Sequence, residues 1–81
     1  MKIRVKLYAV ARELAARDVI TLDLPTGAKV ADLTKAIITA CPALDRIVPL
    51  ALWAVDAQYA NATTTLTEQS EVALIPPVSG G

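Results

Sequence analysis

Glu71-Val72-Ala73-Leu74-Ile75-Pro76-Pro77-Val78-Ser79-Gly80-Gly81 is the stretch on which the reading of the fold turns. Val72 to Ile75 form a short apolar strand, and Pro76 closes it because proline cannot donate to a ladder. Working outward, residues 56–71 are polar, with Asn61 and the run Thr63-Thr64-Thr65, and read as a loop with little regular structure. Residues 50–55 are apolar on both faces, Leu50, Leu52 and Ala54 against Ala51, Trp53 and Val55. That pattern fits a strand covered on both sides, so something must cover its second face.

The first half supplies the other strands and two helices. Residues 2–8 put Ile3, Val5 and Leu7 on one face and Lys2, Arg4 and Lys6 on the other, the period of a half-buried strand. Residues 9–17 are good helix formers, with Val10, Leu14, Ala11 and Ala15 spaced for one apolar stripe. Residues 19–24 alternate again and stop at Pro25; the direction in which this strand pairs is left open. Thr26 and Gly27 make a turn. The main helix spans residues 30–41, with Val30, Leu33, Ile37 and Ala40 on one face, and Pro42 ends it. Residues 43–49 connect, with a helical turn at 44–47.

The order strand, helix, strand, helix, strand, loop, strand predicts an α+β domain, a mixed sheet of four to five strands with its helices on one face. The other face is expected to hold Lys2, Arg4, Lys6, Trp53, Ala73 and Ile75. Eighty-one residues allow one domain with one core, residues 1–81, ending in a flexible tail over 76–81.

Composition excludes several classes of function. With 54% hydrophobic and 20% charged residues the chain should pack, and with no phenylalanine its core falls to Val, Ile, Leu and Ala. Eight basic and eight acidic residues cancel, which argues against nucleic acid and anionic membrane as partners. The charges are nonetheless lopsided: Lys2, Arg4, Lys6, Arg12 and Arg17 crowd the start, and no Lys or Arg follows Arg46. The start has no signal-like apolar core, and no run approaches the roughly 20 residues that span a bilayer. A cytoplasmic protein is expected, and the single cysteine, Cys41, suits that compartment as a small buried hydrophobe.

Catalytic options are few. There is no histidine to titrate near neutrality, one cysteine cannot build a metal site, and Gly27, Gly80 and Gly81 make no phosphate loop. A functional group, if there is one, is the group every chain has, the terminal carboxylate. Pro76 and Pro77 fix φ near the polyproline value, so the exit from the fold is stiff. At roughly 3.3 Å per residue the tail would reach about 20 Å beyond the sheet. Gly80 and Gly81 lack Cβ atoms and fit a channel too narrow for side chains. The Gly81 carboxylate, with an ordinary pKa of about 3.5, is ionised and can be activated on a nucleotide phosphate. An idle frayed end is the plain alternative.

The ending resembles that of the sulfur-carrier small subunits of molybdopterin synthase, a family of ubiquitin-like proteins, almost residue for residue from Glu71 to Gly81. Weaker likeness extends over residues 2–11, Leu24-Pro25 with Gly27, Val30-Ala31-Asp32-Leu33, Pro42-Ala43-Leu44 and Ala54-Val55-Asp56. The resemblance implies a β-grasp fold and a Gly81 carboxylate that an adenylating partner activates with ATP and converts to a thiocarboxylate. It implies insertion of Pro76, Pro77, Val78, Ser79 and Gly80 into the large synthase subunit, sulfur donation to a cyclic pyranopterin monophosphate, and a heterotetramer of two small and two large subunits. No cofactor is held by the chain itself, which is not an enzyme when isolated. Ile75 matches a partner contact, and Trp53, expected on the exposed face, is a second candidate.

The sequence departs from the family where Lys29 replaces a helix-capping Thr, where Asp56-Ala57-Gln58 replaces an Asn-Gly-Glu turn, and where Glu68-Gln69-Ser70 lacks a glycine. Sulfur carriers of thiamine or cysteine pathways, a ubiquitin-like modifier joined through Gly81 to lysine, and a plain interaction module are the competing readings.

Overall fold

The computed structural model describes residues 1–77. Strand β1 (Lys2–Leu7) alternates exposed and buried along its whole length, so Ile3, Val5 and Leu7 enter the core. Helix α1 (Ala9–Ala15) follows and stops where Ala16 turns left-handed at φ 58°, its N–H donating to the Glu13 carbonyl at 3.3 Å. Only the alanine half of the expected stripe packs: Ala11 is buried, whereas Val10 and Leu14 are exposed. The helix lies against β5 and the 3₁₀ turn Pro42–Leu44, and small side chains permit that close approach.

Strand β2 (Val19–Asp23) returns antiparallel to β1, from Lys2↔Asp23 to Lys6↔Val19, which settles the open pairing direction. Gly27, at φ 86°, takes the left-handed turn that leads into helix α2 (Val30–Ala40). Val30, Leu33 and Ile37 form its buried stripe. Lys29 has no side-chain acceptor to cap the helix; Asp32 compensates by accepting the Lys29 N–H at 2.9 Å. Cys41 is half-buried against the core. The helical turn expected at 44–47 resolves into two 3₁₀ turns, Pro42–Leu44 and Val48–Leu50, which bury Leu44 and Val48.

Strands β3 (Leu52–Val55), β4 (Gln58–Ala60) and β5 (Val72–Ile75) complete one sheet in the order β2-β1-β5-β3-β4. Among the described residues only β1 and β5 pair in parallel. The polar stretch 56–71 is therefore more ordered than its composition suggests. It contains β4, a bridge from Thr65 to Lys29 and the buried Leu66. The two helices and the 3₁₀ turns cover one face of the sheet, and no buried residue among those described is polar or charged.

The β3–β4 turn holds Asp56 at φ 52° and Ala57 at φ 65°, a two-residue left-handed turn closed by Val55↔Gln58. Such backbone costs an L-residue roughly 1–2 kcal/mol, and glycine avoids it. Ala57→Gly is expected to raise stability by roughly 0.5–1 kcal/mol in chemical denaturation, because glycine's extra unfolded-state entropy offsets part of the relief. Leu74→Ala, at a fully buried position, is expected to lower it by about 2–5 kcal/mol in the same measurement.

Candidate functional site: the open sheet face and the base of the tail

Strand β5 ends at Ile75 between β1 and β3, so the chain leaves the fold from the middle of the sheet rather than from its edge. Pro76 is buried and Pro77 exposed; Val78, Ser79, Gly80 and Gly81, the other proposed tail residues, lie outside the described residues. The other end of β5 is clamped. Asp56 Oδ1 accepts the Glu71 N–H at 2.9 Å, and the Asp56 N–H donates to the Glu71 carbonyl at 2.8 Å. This pair ties the hairpin turn to the start of β5 and opposes a one-residue slip, which would exchange the faces of every side chain on the strand.

The face opposite the helices is open. Lys2, Arg4, Lys6, Tyr8, Ala73 and Ile75 line a shallow groove of about 1320 Å³ across it. Registry orders its residues in rows across the strands. Leu52↔Ile75 lies at the tail end, Ala54↔Ala73↔Lys6↔Val19 comes next, and Arg4 with Thr21 and Lys2 with Asp23 lie farther away. Tyr59, paired with Ala54, is 73% exposed. Apolar side chains therefore gather near the exit of the tail and charged ones at the far end.

Ile75 sits half-buried on this face, as the sequence pattern expects. Trp53 does not. It is 6% exposed, pairs with Leu74 on the core side, and donates its indole N–H to Thr34 Oγ1 of α2 at 3.1 Å. The expectation of an exposed Trp53 is corrected by one step of parity: Leu52, 54% exposed, takes the open-face position. Period-two reasoning fails in a run that is apolar on both sides. The signal that decides it is the indole N–H, which when buried needs an acceptor such as a helix hydroxyl. Tyr8, Leu52 and Tyr59 are open-face residues that sequence reasoning missed.

The face offers alkyl, aromatic, ammonium, guanidinium and carboxylate groups, the chemistry of docking. Among the described residues no cluster of three or more His, Cys, Asp or Glu is placed to hold a metal ion. Lys2 Nζ bonds Asp23 Oδ2 at 2.8 Å, and that hydrogen bond, aided by the charge of Lys2, holds the Asp23 carboxyl below its ordinary value.

Residues 5–81 match the ThiS family. The chain belongs to this family. Among relatives of this ThiS-family chain, the molybdopterin synthase sulfur carrier subunit of Chlamydomonas reinhardtii is 39% identical over 83 aligned residues, covering all of both chains. In structure, SAMP1 of Haloferax volcanii, the small archaeal modifier protein 1, superimposes with a TM-score of 0.89 at 28% identity over all of both chains. A complex of subunits 1 and 2 of the molybdopterin-converting factor from Helicobacter pylori contains a chain matching with a TM-score of 0.70 and 20% identity, again over all of both chains, a likeness of fold alone. The expected ubiquitin-like β-grasp is the fold observed.

Because the Asp23 carboxyl titrates lower in the folded chain than in the unfolded one, its contribution is present above the unfolded value and lost as pH falls through the folded value. Acid titration of stability should therefore be shallower below about pH 4 in Asp23→Asn than in the wild type.

Proposed function

We propose that this chain is the sulfur-carrier subunit of a molybdopterin synthase and that its reactive group is the Gly81 carboxylate. The observation that carries the reading is the 39% identity to a protein of that name over the full length of both. A carboxylate is a poor acyl electrophile at neutral pH. In the proposed sequence a partner enzyme joins a Gly81 oxygen to the α-phosphorus of ATP, and pyrophosphate leaves. A hydrosulfide ion then attacks the acyl carbon, expelling AMP and losing its proton, which leaves a thiocarboxylate. Carried into the large synthase subunit, the thiocarboxylate donates its sulfur to a cyclic pyranopterin monophosphate.

In this reading the chain holds no cofactor and performs no catalysis alone; ATP belongs to the adenylating partner. The fold supports it by holding the tail base rigidly while leaving the adjoining face open. Ile75 and Leu52 are the docking residues there, Leu52 replacing the buried Trp53. Pro76 and Pro77 direct the tail, and the slim Gly80 and Gly81 enter the partner. The proposed assembly is a heterotetramer of two small and two large subunits, and the Helicobacter pylori complex of two such subunits is consistent with the pairing. The proposed site of action is the cytoplasm; no helix among the described residues is long and apolar enough to cross a membrane.

A second reading has its own support. The TM-score of 0.89 to a small archaeal modifier protein favours conjugation of Gly81 to lysine amines. Both outcomes begin from an acyl-adenylate and differ in the nucleophile that follows.

Mass spectrometry of the intact protein from its own cells is expected to show the increment of one sulfur replacing one oxygen on the Gly81 peptide; isopeptide conjugates without that increment would favour the modifier. Deleting Gly81 is expected to leave thermal unfolding unchanged and to abolish molybdopterin formation in a reconstituted synthase.

A further inference from the structure

Lys6 is out of place on the open face. In the row farthest from the tail Lys2 bonds Asp23 at 2.8 Å, and in the next the parallel register that sets Val5 against Val72 brings Arg4 level with the acidic Glu71, with no ion pair between them. Lys6 lies one row nearer the tail, between Val19 of β2 and Ala73 of β5, with Ala54 beyond. Its Nζ stands 5.6 Å from the centre of the Tyr8 ring. Among the described residues no carboxylate lies within salt-bridge distance of it. A lone ammonium thus projects from the apolar half of the face, the half that adjoins the tail.

A free ammonium is harmless while water covers it. Its cost appears when the face is covered, because a desolvated charge needs a partner of opposite sign. We infer that the protein docking on this face is the large synthase subunit and that it presents an Asp or Glu carboxylate opposite Lys6, set within an apolar surface that covers Leu52, Ala73 and Ile75. This inference rests on the sulfur-carrier reading and adds the recognition chemistry. At 5.6 Å the Tyr8 ring offers the Lys6 ammonium a weak cation–π contact that favours one placement of the charge over others. A charge pair inside an apolar contact also rejects wrong partners, since a surface lacking the acid would strand the lysine.

The test is binding of the full-length chain to the molybdopterin synthase large subunit of the same organism, measured as association and dissociation rates for the wild type, Lys6→Met and Lys6→Arg. Methionine keeps the stem and removes the charge. If a carboxylate faces Lys6, Lys6→Met strands it and should speed dissociation by about 30-fold or more, while Lys6→Arg stays within a few-fold of the wild type. Equal or tighter binding by Lys6→Met overturns the inference and leaves the sulfur-carrier reading standing, since the lysine would then reach solvent in the complex. Absence of wild-type binding overturns both. Unchanged thermal unfolding of Lys6→Met, expected for an exposed side chain, assigns its effect to the interface.

Discussion

The parallel pairing of β1 with β5 is the contact on which the remaining structure depends. It joins the first strand of the chain to the last, Val5↔Val72 through Leu7↔Leu74, so forming it closes a loop that contains most of the chain. Loop-closure entropy is charged before such a contact returns anything. The consequence is mutual dependence: both edges of β5 are satisfied only where β1 and β3 are in place. Because Pro76 directly follows β5, seating β5 in the sheet also fixes where the chain leaves it.

Once inserted, β5 is held on every side except the open face. β1 and β3 satisfy its two edges, Leu74 is fully buried below, Asp56 clamps Glu71 at its start and the buried Pro76 follows its end. In the proposed role, a reactive group at the end of the chain needs a fixed origin for that end, and a central strand supplies one better than an edge strand or a helix terminus that can fray.

What was legible in the sequence follows from which faces are wet. β1, β2 and α2 each have one solvated and one buried side, so Lys2-Ile3-Arg4-Val5-Lys6-Leu7 and the Val30, Leu33, Ile37 spacing carry their structure openly. β3 lacks that contrast. Leu52 and Trp53 are equally apolar, and the face each takes is set by pairing with β5 and by the hydroxyl of Thr34, neither visible locally. β4 is three residues long and follows a turn with no glycine, so its usual marker is missing. In α1 the larger apolar residues point outward because close contact with the 3₁₀ turn favours alanine. The proposed tail chemistry rests on residue types alone, whereas the placement of Leu52 and Trp53 beside it required parity that only the folded sheet provides.

The distribution of charge on the open face follows from size. A chain of 81 residues has helix enough to cover one side of a five-stranded sheet and no more, so the second side must meet water or another protein. A wholly apolar second side would associate indiscriminately, and a wholly charged one would resist burial on docking. The sheet divides the two demands along the strand direction. Lys2, Asp23, Arg4 and Glu71 keep the far half hydrated, and Leu52, Ile75 and Ala73 make the near half adhesive where the tail departs. In the proposed role, contact by the adhesive half would take place beside the end of β5, so recognition and delivery would share one edge of the sheet. Lys6 stands in the adhesive half, one row from Leu52↔Ile75, and under the inferred docking it is the charge that a partner surface has to match.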